Sequence, residues 1–374
     1  MRILFVSFEK SSMSNAYNHR IFNLERHCRQ AGAETSKLFL GDLFFGSPVL
    51  IQPLNIPFIL KYLRKFDVIH AGGSGAAFFF ALVSPLLGNN TKVVYDVHSD
   101  VLTEVHLTHK GLFDFAGYFA EFEMIFTEYV AIRFVNYYVA SSSELKRRLL
   151  KRKSRIKPEN IEIIVNGVDL QQFRPQEETV SSSSDRNFTV TYAGSFYKVE
   201  SVDILVRAAE ILRDECITFK FIGFRTEDSS YKLEIQKRIG DKAVLVDWLS
   251  RNELVVELQK SDVLVIPGDS TCSKQSKNRS AVFVTKFAEF LAVGKPVIIT
   301  TLDLPSKIVK TFDCGFVSEP NAESLALSIL EAKQAPREVL LKKGQNGRRY
   351  AESELDVNIL CKRYLRFLNK LFEN

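Results

Sequence analysis

Cysteine is scarce and unpatterned: Cys28, Cys216, Cys272, Cys314 and Cys361 are odd in number, widely spread and free of any C-x-x-C spacing. That supports neither a disulfide framework nor a zinc site, and it predicts a reducing, cytoplasmic setting. All six histidines lie at or before position 109, so imidazole chemistry is confined to the N-terminal part of the chain. The longest nearly uncharged apolar stretch, Ala71–Leu87, is glycine-rich and interrupted by Pro85. It falls short of a membrane span and reads as the start of a buried helix. The opening residues MRILFVSFEK read as a strand and lack the basic region, apolar core and cleavage site of a secretion signal. No repeat with a period of about 20–50 residues occurs, which argues against a solenoid.

What is present is a chain of 374 residues, 46% apolar and 25% charged, with 30 phenylalanines. Length and composition predict a globular protein of two domains, each with a substantial core. The net charge of +6 is concentrated in the N-terminal half, much of it in Lys146–Lys157 (KRRLLKRKSRIK), where eight basic residues stand without an acidic one. Two readings remain open: a solvated helix end and loop, or peripheral contact with an anionic membrane surface at its cytoplasmic face. No aromatic residues interleave with these charges, so nucleic acid is not an expected partner.

Short apolar runs alternate with helical patterns throughout, the signature of parallel sheets covered by helices. Strands are predicted at 3–8, 34–40, 66–71, 92–98, 137–142 and 161–166, and the stretch 18–31 reads as a helix stopped by Gly32. At Arg174–Asn187 a proline, acidic residues and four consecutive serines replace the apolar rhythm. The boundary is placed there, giving an N-terminal acceptor-side domain over 1–175 and a C-terminal donor-binding domain over 176–350. A last helix over 351–374 is expected to cross back to the first domain. After the break, strands at 188–194, 217–223, 243–248, 262–268 and 295–301 alternate with helices, before a long helical C-terminus. The fold class is α/β, with two doubly wound Rossmann-like domains whose ligands would sit outside the carboxyl ends of the strands, in a cleft between the domains.

The string IIVNGVDLQQFRP (163–175) resembles the interdomain element of glycosyltransferase family 4, whose members have the GT-B fold. The resemblance continues in register through YAGSFYKVESVDILVRAAEIL (192–212), FKFIGF (219–224), NELVVELQKSDVLVIPG (252–268) and KFAEFLAVGKPVIIT (286–300). It implies transfer of a sugar from a nucleotide-diphosphate donor to an acceptor hydroxyl, with retention at the anomeric carbon, in glycan or polysaccharide biosynthesis. The donor is a substrate, no cofactor or metal is implied, and the acceptor would be a glycan or lipid-linked glycan.

By this resemblance Glu289 binds the nucleotide ribose, a role that suits a carboxylate near a helix start, since it can accept from both vicinal hydroxyls. A surface helix glutamate is the alternative. Lys286, one turn earlier, would reach a donor phosphate or pair with Glu289. The family places an arginine and a lysine after the first strand of this domain; here Gly194-Ser195 and Glu200-Ser201 stand instead. Lys198 is the substitute cation, and Gly194 lets backbone amides approach the phosphates. A sugar-contacting glutamate of the family falls on Ala281, and its frequent proline on Val284. These departures keep a second reading open, a non-catalytic nucleotide-binding partner of the same fold; a nucleotide-sugar epimerase is a third.

In the first domain His98 is the catalytic candidate, ending the strand of VVYDVHSDVLTE with Asp96, Asp100 and Glu104 as orienting partners. His70 reads as a satisfied strand-end histidine. Asp96, His98 and Asp100 invite a metal, but no further cluster supplies the missing ligands. Ser11, Ser12 and Asn15 of the Glu9–Tyr17 loop are acceptor-side candidates. The aromatic stretch 111–139 reads either as a groove for a lipid-linked acceptor or, more commonly at that spacing, as interior packing.

Overall fold

The structure is a computed structural model that describes residues 1–8, 16–42, 56–88, 90–99, 101, 115–152, 156–176, 187–196, 201–268, 285–300 and 303–373. Lys198, Glu200, Ala281, Val284, Asp100, Glu104, Ser11, Ser12 and Asn15 lie outside the described residues. The chain divides into two compact units, Met1–Gly167 with Val357–Asn374, and Val168–Asp356.

The first unit is built on β1 (Arg2–Ser7), β2 (Glu34–Phe39), β3 (Val68–Gly72), β4 (Lys92–Val97), β5 (Tyr137–Ala140) and β6 (Ile161–Ile163). They form a wholly parallel sheet in the order β2-β1-β3-β4-β5-β6. Because both faces are covered, the inner strands are continuous apolar runs: five of the six residues of β1 and all of β3 are buried. The helices are α1 (Ala16–Gln30), α2 (Ile56–Leu63), α3 (Gly73–Leu87), α4 (Phe115–Phe134), α5 (Ser143–Arg152) and, from the far end of the chain, α13 (Val357–Lys370). α13 joins this core through Leu360, Tyr364, Phe367 and Leu368, which cluster with Ile21, Leu24, Val68 and Val94.

In the second unit, β7 (Phe188–Ala193), β8 (Ile217–Phe224), β9 (Ala243–Asp247), β10 (Val263–Ile266), β11 (Val297–Thr300) and β12 (Gly315–Ser318) pair in the order β12-β11-β10-β7-β8-β9. This is the doubly wound dinucleotide-fold order, and its ligand crevice lies where the order reverses, between β7 and β10. The helices are α6 (Val202–Ile211), α7 (Ser229–Ile239), α8 (Arg251–Gln259), α9 (Thr285–Ala292), α10 (Asp303–Phe312), α11 (Ala322–Gln334) and α12 (Arg337–Tyr350). α8 starts at a capping box, Ser250 and Glu253 each accepting from the other's main-chain N–H.

Three expectations change. The division falls at Gly167-Val168, ahead of the predicted boundary at 175, because Phe173 is fully buried and the Arg348 guanidinium donates to its carbonyl at 2.7 Å. The segment after the N-G turn therefore packs onto the second unit before the serine run begins. The helical C-terminus contains the strand β12, paired to β11 from Val297↔Gly315 to Thr300↔Ser318. Much of the aromatic stretch, finally, faces outward: Phe119, Phe122 and Tyr129 of α4 are 63%, 63% and 67% exposed.

Candidate functional site

In the second unit the predicted residues gather at the carboxyl end of β7. Gly194 follows that strand with φ +154°, and a Cβ built there would lie 2.6 Å from the Lys286 amine. Only glycine leaves that amine its place. Gly223, at the end of β8, is just as confined, since its Cβ would meet the Gly194 carbonyl oxygen at 2.4 Å. Lys286 comes from the first turn of α9; its Nζ donates to the Tyr192 hydroxyl at 3.3 Å and lies 4.8 Å from the centre of that ring. Tyr192 is fully buried, and its hydroxyl donates to the carbonyl of Ser195. Lys286, Tyr192, Gly194 and Ser195 thus form one contact group at the sheet's reversal point.

Glu289 lies one turn further along α9 and is 6% exposed, which removes the surface-helix reading. Arg251, the first residue of α8, brings its guanidinium to 2.7 Å from Oε1 and stacks over the Phe173 ring at 4.7 Å. That contact pairs the buried carboxylate with a cation, and a carboxylate carries further lone pairs with which it can accept from a ligand hydroxyl. Burial pushes the Glu289 carboxyl above the usual range, against the attraction of Arg251 and Lys286. The site therefore offers a half-exposed cation, a desolvated carboxylate with acceptor capacity, and a glycine turn that exposes backbone. Together they suit a polyhydroxylated anion.

Sequence reasoning missed Arg251, although S-x-x-E at 250–253 marks a helix start at the end of a strand, where ligands of such sheets bind. α9 is held in place by α12, which lies close enough that a Cβ on Gly344 would meet the Gly294 carbonyl oxygen at 2.0 Å.

His98 belongs to the first unit. It follows β4, and its carbonyl accepts from the Ser141 hydroxyl at 3.1 Å beside β5. The residue is half-buried, yet Nδ1 has no contact with water. Burial pushes the imidazole down to about 4, with Arg20 acting the same way and Asp96 opposing. At neutral pH the ring is uncharged. Asp96 is not available as a simple orienting acid, because Arg20 holds it in a fork, Nε to Oδ2 and Nη2 to Oδ1, each at 3.0 Å. That guanidinium keeps the carboxyl well below its usual range despite full burial. Arg20 also donates to the Asn166 side chain at 2.9 Å and the Ile164 carbonyl at 2.7 Å, tying the chain just before the division to the end of β4. His70 is satisfied on both nitrogens, by the Tyr364 hydroxyl at 2.8 Å and by Asp96 at 3.3 Å.

The sequence model described as "Glycosyl transferases group 1" matches residues 173–350, and that described as "Glycosyltransferase Family 4" matches residues 24–172. With the two parallel sheets above, these consecutive matches define the class: the chain is a glycosyltransferase of the family 4 type with the GT-B fold. It is 22% identical over 326 residues, 80% of this chain and 77% of the other, to the Escherichia coli UDP-Gal:alpha-D-GlcNAc-diphosphoundecaprenol alpha-1,3-galactosyltransferase. Its fold is similar to sucrose-phosphate synthase from Thermosynechococcus elongatus, with a TM-score of 0.76 at 16% identity over 100% of this chain and 99% of the other. Anabaena HepE, solved with UDP-glucose, aligns with a TM-score of 0.72 at 17% identity over 99% and 100%.

Proposed function

We propose that the protein transfers a sugar from a nucleoside-diphosphate donor to the hydroxyl of a lipid-linked or polymeric glycan acceptor, with retention at the anomeric carbon. The observation that carries the donor half is the buried Glu289 carboxylate, paired with Arg251 and one turn from Lys286 at the Gly194 turn. In this reading the ribose hydroxyls donate to Glu289. Lys286, Lys198 and main-chain amides from Gly194 and Ser195 meet the diphosphate, where charge develops as the leaving group departs. No metal is assigned, since lysine and amide donors meet that charge. The neutral His98 imidazole hydrogen-bonds the reacting sugar and orients it. A relative that takes UDP-Gal to a diphosphoundecaprenol-linked sugar, and a similar fold solved with UDP-glucose, support a uridine nucleotide and an acceptor carrying a lipid diphosphate. Peripheral contact with a membrane surface is part of this proposal, because such an acceptor resides in one.

The test is hydrolysis and transfer with a panel of UDP- and GDP-sugars, read by nucleotide release and product mass. Donor cleavage that disappears in Glu289→Ala is the expected result. Undiminished cleavage in that variant would sink the ribose assignment, and release of an isomerised free sugar would point to an epimerase.

A further inference from the structure

We infer that the outward face of α4 is the surface by which this protein lies on a membrane, its occupant being the headgroup and upper acyl layer of an anionic lipid bilayer. The inference rests on the reading above only in that a lipid-linked acceptor gives the contact a purpose. A helix apolar on all sides belongs in an interior or in lipid. α4 is apolar on its inner side, where Val130, Ala131 and Ile132 are buried. It is also apolar on its outer side. Phe115, Tyr118, Phe119, Phe122, Phe126 and Tyr129 are between 40% and 79% exposed, and their spacing of three and four residues puts them on one stripe. From Phe115 to Tyr129 the stripe runs about 21 Å along the helix. α3 extends it with Leu82 and Leu86, 47% and 52% exposed, one and two turns beyond Phe78. Monomeric proteins rarely leave so much contiguous apolar surface to water. Tyrosine is enriched at membrane–water interfaces, and phenylalanine and leucine supply the apolar face of helices that lie in them.

The charges around the stripe decide between lipid and a second copy of the chain. Arg133 is the charged residue within the stripe's exposed face, lying 5.7 Å from the Phe134 ring. Lys61, Arg64 and Lys65 are exposed at the end of α2, where Arg64 donates to the Leu86 carbonyl at 2.8 Å and so stands beside the α3 extension. On the other flank Arg152, ending the basic helix α5, pairs with Glu128 of α4 at 3.2 Å. Glu121 and Glu123 are half-buried and lie to either side of the stripe. A symmetric dimer through this face would bring the basic rim against its own copy. An anionic bilayer meets both parts, with apolar rings in the acyl boundary and cations at the phosphates. Among the described residues no helix is long and apolar enough to cross a membrane, so the contact is parallel to the surface.

The experiment is flotation of the full chain with vesicles of phosphatidylethanolamine and phosphatidylglycerol, and with vesicles of phosphatidylcholine alone. Expected is flotation with the anionic vesicles that weakens as salt rises, and a loss of about tenfold or more in the variant carrying Phe119→Ser, Phe122→Ser and Tyr129→Ser. That variant should melt and hydrolyse soluble donor as the parent does, which keeps membrane seating separate from sugar transfer. Arg64→Gln with Arg133→Gln should weaken only the anionic binding. Equal flotation of the triple variant overturns the assignment of this face, and unchanged binding of the arginine variant overturns the anionic headgroup. A parent that fails to float but sediments as a dimer, broken by the triple substitution, would give the face to a second copy.

Discussion

Arg251 stands at the first position of a helix, where the macrodipole disfavours a cation, and Glu289 supplies the compensating charge. That arrangement breaks a local rule to serve a distant residue, which is how a ligand site betrays itself. Because the Glu289 carboxyl is raised by burial, the folded state holds its proton more tightly than the unfolded chain. The associated stability is present below the unfolded value of about 4.5 and is lost as pH rises through the higher folded value. At neutral pH the ionised carboxylate is therefore a cost. Glu289→Gln should unfold in urea no earlier than the parent at pH 7, while kcat/KM for donor cleavage falls by ~10- to 100-fold through loss of charge-assisted bonds. A variant that lost stability with unchanged kcat/KM would mark Glu289 as structural. His98 has the opposite sense: burial pushes its imidazole down to about 4 in the folded state, against the ordinary 6.5, so the unfolded chain takes up the proton first. Stability should fall as pH drops from about 6.5 to about 4, by ~2 kcal/mol from this group after discounting for its partial exposure. His98→Gln should remove that part of the slope in urea midpoints measured across the interval.

α9 carries both Lys286 and Glu289, so its seat on α12 controls the geometry of each. Gly344 and Gly347 allow the approach, a Cβ on the latter meeting Leu291 at 2.9 Å. Gly344→Ala drives a methyl into the Gly294 carbonyl, a backbone atom that cannot swing aside, and should destabilise the second unit by ~1–3 kcal/mol. Trp248, the single tryptophan and 54% exposed, reports unfolding of that unit by fluorescence. An unshifted transition would show that the two helices separate without cost. Much at this scale was legible in the sequence. The strands were found because parallel strands buried on both faces are continuous apolar runs, as in VIHAG of β3 and VLVI of β10. β12 was not, because four residues (GFVS) between helices carry too little pattern to separate them from a helical stretch. For α4, periodicity showed which residues share a face but is silent on what covers that face, so packing was expected where the rings are exposed. Arg251 escaped for a related reason: its partner lies 38 positions away, and no spacing rule connects them.

The chain returns to its first unit after completing the second, and this makes α13 part of a fold begun at Met1. The sequence pointed to the return but set the domain boundary by composition, whereas the division follows burial: the buried Phe173 lies under Arg251 of the second unit, and Tyr364 packs into the first. Leu360, Cys361, Tyr364, Phe367, Leu368 and Leu371 are each buried against the first unit. At roughly 1.5–3 kcal/mol for each large apolar side chain, their loss is of order 10 kcal/mol, comparable to the whole stability of a domain. The Tyr364 hydroxyl also satisfies His70 at 2.8 Å, next to the Asp96 carboxylate held by Arg20. A chain ending at Asp356 should therefore keep the Trp248 unfolding transition of the second unit. Its first unit, carrying His98, should lose protease resistance and about half of the regular secondary structure seen by circular dichroism. Retention of a protease-resistant fragment covering residues 1–167 in that truncated chain would show that the first sheet holds without its returning helix.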